Sequence, residues 1–192
     1  ADRSSTQFNP LLAKAGQGSP SNPIKLAEMG DPNGLNHAAF PFLSKSTGNF
    51  YIVGGDETFP WGVMATKGQP SNPRGGFHFL NFTDPDNPKE DAVYQVPEAG
   101  SHNMWVYDDV LMAAFYQGGL RVVDISGELL GDIYNQGREI AVYQSSHKEG
   151  KIPNAPMVWG AQPYKDYIFF ADMNSGLYCI QLEDLEKGPG AP

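Results

Sequence analysis

The feature that most constrains the fold of this chain is a glycine-led apolar segment that occurs three times. The copies are GGFHFLNFT at residues 75–83, GGLRVVDIS at 118–126 and SGLYCIQLE at 175–183. Each copy predicts a turn that leads into a buried β-strand, because glycine permits the turn and apolar residues follow it. A repeat of this kind indicates one supersecondary unit used several times, whose copies bury a continuous core.

Further predicted strands recur in the same order before and after each copy. The strand before the glycine-led one covers residues 49–54, 109–114 and 166–171, and the innermost strand covers 37–40, 102–105 and 156–159. A fourth, outer strand covers 92–95 and 141–144, and residues 24–27 precede the first unit in the same way. These units predict an all-β fold, a β-propeller with about three four-stranded blades in this chain. A β-sandwich and a solenoid are the alternatives.

The number of units predicts an incomplete ring. Propellers typically have four to eight blades, because fewer blades would need very wide wedges around the axis. We therefore expect another polypeptide or a second copy of this chain to complete the propeller, with about six blades for two copies. Residues 22–183 are the predicted blades, and residues 1–21 and 184–192 are expected to be flexible segments.

Composition narrows the fold and the partners. The 192 residues include 22 Gly and 16 Pro, and 12% are aromatic, which favours short strands joined by many turns. The net charge of −9 opposes binding to a nucleic acid backbone. The single cysteine, Cys179, excludes an intrachain disulfide, and its apolar surroundings predict a buried thiol. The chain contains no stretch of about 18 apolar residues, so a membrane-spanning helix is not predicted.

Residues 118–126 resemble the motif of the LVIVD-repeat family, and residues 101–105 and 174–177 resemble its flanking elements. The resemblance extends over about residues 22–183. It implies a β-propeller of a bacterial or archaeal protein that is exported to the periplasm or the cell surface, mostly with no assigned activity. Members are usually much longer, so this chain is expected to be a fragment or one subunit of an assembly. The first copy of the motif has Asn81 where the second has Asp124.

Two long insertions are expected on one face of the propeller, at residues 58–74 and 145–155. Long loops on a rigid scaffold are the usual place of binding function. The candidate partner-binding residues in these insertions are Trp61, Met64, Lys67, Arg74 and His147. A surface insertion without function is the alternative for residues 58–74.

Two histidines, His37 and His102, hold equivalent positions at the start of innermost strands and are expected to approach the central channel. With a carboxylate from Asp56, Glu57 or Asp172, they could bind a transition metal. The third repeat has Pro156 in this position, and no HxH or HExxH spacing occurs. A hydrogen-bonded histidine at the strand entry is the alternative.

The sequence therefore predicts a non-catalytic β-propeller scaffold in an exported or cell-envelope assembly, which presents the insertions at 58–74 and 145–155 to a protein partner. It lacks a GxSxG motif, a P-loop and a GxGxxG motif, and no catalytic residue is predicted. The first alternative is a metal-dependent enzyme that uses His37 and His102. The second is a carbohydrate-binding module that uses Trp61.

Overall fold

The structure is a computed structural model, and it describes residues 16–30, 36–57 and 75–182. Within these residues the chain forms twelve strands and no helix, which confirms the all-β prediction. The strands are β1 Asn36–Leu43, β2 Phe50–Asp56, β3 Phe77–Asn81, β4 Lys89–Tyr94, β5 Met104–Tyr107, β6 Val110–Phe115, β7 Gly119–Asp124, β8 Gly131–Asp132, β9 Glu139–Tyr143, β10 Val158–Tyr164, β11 Tyr167–Asp172 and β12 Gly176–Ile180. The described residues contain no apolar helix of membrane-spanning length.

The three repeat units form three sheets, and one short strand of the second unit, β8, joins the sheet of the first. Sheet 1 has the strand order β1-β2-β3-β4-β8, sheet 2 has β5-β6-β7-β9, and sheet 3 has β10-β11-β12. All neighbouring strands are antiparallel except β4 and β8, which are parallel. The prediction of four strands per unit therefore holds for sheet 2. Sheet 1 has a short fifth strand, and sheet 3 has three strands among the described residues.

The three sheets stack through two apolar interfaces. Between sheets 1 and 2 the rings of Phe77 and Tyr94 meet Phe115 edge-on, with centroids 5.3 and 5.5 Å away. Between sheets 2 and 3, Leu120 packs in one buried cluster with Phe170. Burial of one large apolar side chain contributes about 1.5–3 kcal/mol. Strands β6 and β7 of sheet 2 are buried on both faces, and sheet 2 forms the centre of the stack.

The first strands of the three sheets lie together at one edge of the stack. Strand β5 contacts both β1 and β10. The rings of Phe40 in β1 and Trp105 in β5 are 5.1 Å apart, and the backbone N–H of Asn103 donates to the carbonyl of Trp159 at 3.3 Å. We call this the inner edge, because the innermost strands of the repeat meet there.

Two local predictions are wrong. Residues 24–27 form no strand; Leu26 and Ala27 instead pack on Leu80 and Phe82, on the outer face of sheet 1. A strand needs a free strand edge beside it, and this segment lies on the face of a sheet. Cys179 is exposed rather than buried, because β12 is the edge strand of sheet 3 and no sheet covers its outer face among the described residues.

Candidate metal centre

The strand register gives His37, His102 and Trp159 the same position in the three sheets. The residue two positions after each of them pairs with an equivalent residue of the second strand of its sheet. These cross-strand pairs are Ala39 with Gly54, Met104 with Ala113, and Ala161 with Phe170. The second strands fix the equivalence, since Gly54, Ala113 and Phe170 pair in turn with His78, Arg121 and Tyr178 of the glycine-led strands. The alignment of Pro156 with the two histidines is therefore wrong, because backbone pairing places Trp159 there.

The backbone is irregular at this position in two of the three sheets. The register of β1 shifts between Asn36 and Ala38, at His37, and the register of β10 shifts between Val158 and Gly160, at Trp159. Such bulges change the direction of one side chain and are common beside functional sites. Periodicity in the sequence does not reveal them.

The two histidines meet Glu57, which follows β2. Their ring centroids are 4.5 Å apart. The carboxylate of Glu57 lies 3.0 Å from Nδ1 of His37 and 3.9 Å from Nε2 of His102. One ligand atom from each residue lies within 4.8 Å of the other two. The structure thus brings together two predicted histidines and one of the three carboxylates considered with them.

Hydrogen bonding fixes the tautomer of His102. Its Nδ1 lies 2.6 Å from the carbonyl oxygen of Trp159, which can only accept, so Nδ1 carries the proton. Burial lowers the pKa of His102, while the bond to Trp159 acts in the opposite direction. In the neutral ring, Nε2 therefore presents a lone pair toward the Glu57 carboxylate. Two acceptors that face each other leave a place for a cation between them.

Aromatic side chains close the site on its inner side. The ring of Trp159 lies 4.2 Å from that of His102, and the ring of Tyr116 lies 5.5 Å from both. The hydroxyl of Tyr116 donates to Oε1 of Glu57 at 2.6 Å. Burial, together with this bond to a carboxylate, raises the pKa of the phenol, which remains a donor. On the other side the site reaches solvent, with side-chain exposures of 30% for His37 and 20% for Glu57.

This set of donors suits a divalent transition metal. Zinc binds imidazole nitrogen and carboxylate oxygen at about 2.0–2.2 Å in a tetrahedral site, which puts neighbouring ligand atoms about 3.3 Å apart. His37 lies 3.0 Å from Oε2 of Glu57 and His102 lies 3.9 Å from Oε1, so these two nitrogen–oxygen distances lie on either side of that value. The bond from His102 to a backbone carbonyl and the bond from Tyr116 to the carboxylate are the kind of support that metal ligands receive.

The other two carboxylates considered with the histidines lie elsewhere. Asp56 binds His78, whose other ring nitrogen is 3.3 Å from Glu90. Asp56 and His78 are buried, whereas Glu90 is exposed. This group was not predicted, because the three residues are far apart in the sequence and meet only through strand pairing. Asp172 accepts backbone N–H bonds from Met157, which precedes β10, at 2.7 Å, and from Asn174 and Ser175 in the turn after β11.

The predicted partner-binding residues fall into two groups. Trp61, Met64, Lys67 and Arg74 lie outside the described residues, as does the whole insertion at 58–74. His147 is exposed in the insertion at 145–155. That loop is held by Asn174, whose side chain bonds to the backbone of Ile152 at 2.6 Å in both directions and to the carbonyl of Ala155 at 2.7 Å. Its shape is therefore defined by the turn before β12.

No protein-family model, no curated protein and no solved structure matches this chain. The resemblance to the LVIVD-repeat family therefore rests on the motifs in residues 101–126 and 174–177 alone. Since no relative contributes a residue role, the function has to be inferred from geometry and chemistry.

Proposed function

We propose that this chain binds one divalent transition metal through His37, Glu57 and His102 at the inner edge of its stacked sheets. The observation that carries the proposal is the position of His102: its Nε2 lies 3.9 Å from the Glu57 carboxylate, and its Nδ1 bonds to the carbonyl oxygen of Trp159. His37 completes the set on the solvent side. All three side chains belong to sheets 1 and 2 or to the residues beside their strands, and the packing of the two sheets holds them in place.

The proposed site belongs to the catalytic type of metal site. Three protein ligands leave a coordination position open, and the exposed side of His37 gives solvent access to it. A metal held in this way can act as a Lewis acid or activate a bound water. The chain's own groups would orient the centre: Trp159 holds the tautomer of His102, and Tyr116 holds one oxygen of Glu57. The proposed function is therefore that of a metal-dependent enzyme.

We also propose that the stack is a segment of an exported β-propeller of the LVIVD type. Support comes from the common inner edge of β1, β5 and β10 and from the two successive apolar interfaces. Consecutive propeller blades have this relation to one another. In that arrangement the proposed metal lies near the central channel.

Metal content tests the proposed site. Protein purified without a histidine tag and without chelator would be measured by plasma mass spectrometry, then stripped of metal and titrated with Zn²⁺ by calorimetry. We expect one Zn²⁺ per chain, and loss of binding in His37→Ala and in Glu57→Gln. Both side chains are partly exposed, so these variants should keep the wild-type melting temperature.

His147→Ala is the matched control, because His147 is an exposed histidine outside the cluster. It should bind Zn²⁺ as the wild type does. Equal binding by wild type, His37→Ala and Glu57→Gln would mean that zinc binds elsewhere, and the proposal would be wrong. Metal-free wild type that takes up no Zn²⁺, Fe²⁺ or Mn²⁺ would also overturn it.

The second candidate function is the scaffold, and the loop at 145–155 favours it. The loop is fixed by Asn174 and exposes Ile152. A defined loop with an exposed apolar side chain is suited to contact with a protein partner. The test is the mass of the native complex, together with identification of any chain cross-linked to this loop. Ile152→Asp should release that chain, whereas Tyr164→Asp, an equally exposed change elsewhere, should not.

A further inference from the structure

We infer that two copies of this chain complete each other, with residues 26–30 of one copy forming the fourth strand of sheet 3 of the other. The outer face of sheet 1 of the first copy would then pack on the outer face of sheet 3 of its partner. This inference rests on the propeller arrangement proposed above and is independent of the metal.

The outer face of sheet 3 repeats a surface that the other two sheets bury. Phe77, Leu120 and Leu177 follow the turn glycine of their repeats and hold equivalent positions. Phe77 and Leu120 are fully buried, each against the sheet that follows its own, whereas Leu177 is 76% exposed. Leu177 also lines a groove of about 370 Å³ with Phe169 and Trp105. This face is apolar because its position in the repeat is that of a covered face.

The edge of sheet 3 also lacks a strand that the other sheets have. Strand β4 lies outside β3, and β9 lies outside β7, but β12 has no outer neighbour among the described residues. The space beside β12 is an apolar groove of about 400 Å³. Its lining residues come from β7, β9, the last residue of β12 and the two residues after it: Leu120, Val122, Ala141, Val142, Tyr143, Ile180, Gln181 and Leu182. A free strand edge above an apolar groove is a site for one more strand.

The same chain carries an outer-strand segment without a sheet. Ala27 precedes His37 by ten residues, as Ala92 in β4 precedes His102. The contacts agree with this equivalence: Ala27 and Met29 pack on the outer face of sheet 1, just as Ala92 in β4 belongs to the interface with sheet 2. Residues 26–30 therefore lie where the outermost strand of a preceding blade would lie.

One missing strand and one spare strand match each other. If each of two copies gives its residues 26–30 to β12 of the other, both free edges are covered by the same contact made twice. The result is a closed ring of six sheets, which lies within the usual range for propellers. The net charge of −9 on each copy opposes association. Salt screens such repulsion, so the dimer should be stronger at higher ionic strength.

Light scattering after size-exclusion chromatography tests the stoichiometry. At micromolar concentration in physiological salt, we expect about twice the chain mass of 20.9 kDa. Leu177→Arg should halve the measured mass with an intact fold, because this side chain is exposed within one copy. The control Tyr164→Arg changes a similarly exposed residue at the end of β10 and should stay dimeric. A wild-type monomer would overturn the inference.

A disulfide tests the strand pairing itself. Phe79 pairs with Ala92, and Val122 pairs with Ala141, so the equivalent Cys179 should pair with Ala27 of the other copy. Because Cys179 is the single cysteine, Ala27→Cys should give a covalent dimer on mild oxidation, visible on a non-reducing gel. Glu28→Cys is the control, since the next residue of a strand points to the opposite face.

The outcomes of the disulfide test are distinct. A covalent dimer with Ala27→Cys and none with Glu28→Cys supports the exchange. A disulfide within one chain would show that three sheets close on themselves, and equal cross-linking by both variants would show random contact; either result contradicts the inference. Zinc content can be measured on the same samples, so failure of the metal site and failure of the assembly are separately visible.

Discussion

Tyr116 holds the position in sheet 2 that Glu57 holds in sheet 1, and its hydroxyl donates a hydrogen bond to the Glu57 carboxylate at 2.6 Å. The equivalence follows from strand register. Gly55 pairs with Phe77 and Ala114 pairs with Leu120, which are the first apolar residues of the glycine-led strands, and Glu57 and Tyr116 each lie two positions later. The same structural position thus holds the proposed metal ligand in one unit and the residue that orients this ligand in the next.

Tyr116→Phe should weaken zinc binding about 10–100-fold, the usual effect of removing a partner of a metal ligand. The ring contacts with His102 and Trp159 would remain, so the fold should be unchanged. Competition with a chelating indicator measures the affinity. Tyr51→Phe removes a buried hydroxyl that bonds to Asp91, away from the site, and should leave the zinc affinity unchanged. Wild-type affinity in Tyr116→Phe would show that the phenol does not support Glu57.

Asp109 joins sheets 1 and 2 through the turn after β1. Its carboxylate accepts backbone bonds from Lys45 at 2.9 Å and Ser46 at 2.8 Å and a bond from the Ser44 hydroxyl at 3.3 Å. Asp109→Asn should lower the free energy of unfolding by about 1.5–3 kcal/mol, the contribution of hydrogen bonds to a charged group. Asparagine also tolerates the positive φ of this residue, so backbone strain is not added.

Urea denaturation measures the loss, and the neighbouring Asp108 provides the control. Asp108 has a similar φ, but it is exposed and pairs with the Lys45 side chain at the surface. Asp108→Asn should therefore change the free energy of unfolding by less than about 1 kcal/mol. Equal losses in both variants would show that the bonds between the two turns do not stabilise the fold.

Acid should destabilise the protein through Asp172. Burial works against the charged form of this carboxylate, but hydrogen bonds from Met157, Ser145 and the turn that follows outweigh it and lower its pKa. A lowered folded-state pKa adds stability above the unfolded value of about 3.9, and that stability is lost as pH falls through the folded-state pKa. We expect the free energy of unfolding to decrease below about pH 4. In Asp172→Asn, urea denaturation should show a smaller acid-induced decrease; an unchanged decrease would assign the effect to other carboxylates.

Gly119 is required by both its φ and its surroundings. At a φ of 81°, a Cβ on Gly119 would collide with the carbonyl oxygen of Tyr143 in the neighbouring strand β9. Gly127 has a φ of 69°, but a Cβ on it would have no neighbouring atom within 4 Å, so it shares the dihedral cost without the collision. Gly119→Ala should therefore lower the free energy of unfolding by about 1–3 kcal/mol more than Gly127→Ala. Thermal or urea denaturation of both variants checks this difference.

The sequence predicted strands more reliably than their surroundings. The glycine turns locate β3, β7 and β12 because a turn residue followed by an apolar run is a local signal. Burial of Cys179 was predicted wrongly because burial depends on whether another sheet lies over the strand. The strand predicted at residues 24–27 failed for the same reason, since pairing requires an edge that local sequence does not describe.

The candidate site was predictable in part. His37 and His102 were paired correctly by their positions at the start of equivalent strands, and the structure brings their rings together. Trp159 was missed as their third equivalent, although the spacing gives it: His102 precedes Gly118 by 16 residues, and Trp159 precedes Ser175 by the same number. The bond from Tyr116 to Glu57 spans 59 positions, and no local pattern signals it.

Strand β8 means that sheet 1 is complete only after part of the second unit has been synthesised. It lies in the second unit, between β7 and β9, but pairs with β4 at the edge of sheet 1, where Ile133 also donates to the carbonyl of Val93. During synthesis the edge of sheet 1 therefore remains uncovered until the ribosome has passed residue 133, well after the last strand of its own unit. The sheet of the first unit is thus completed by a strand pairing that crosses the boundary between the two units. Gain or loss of the second unit in evolution would therefore also add or remove residues 131–133, which cover the edge of sheet 1.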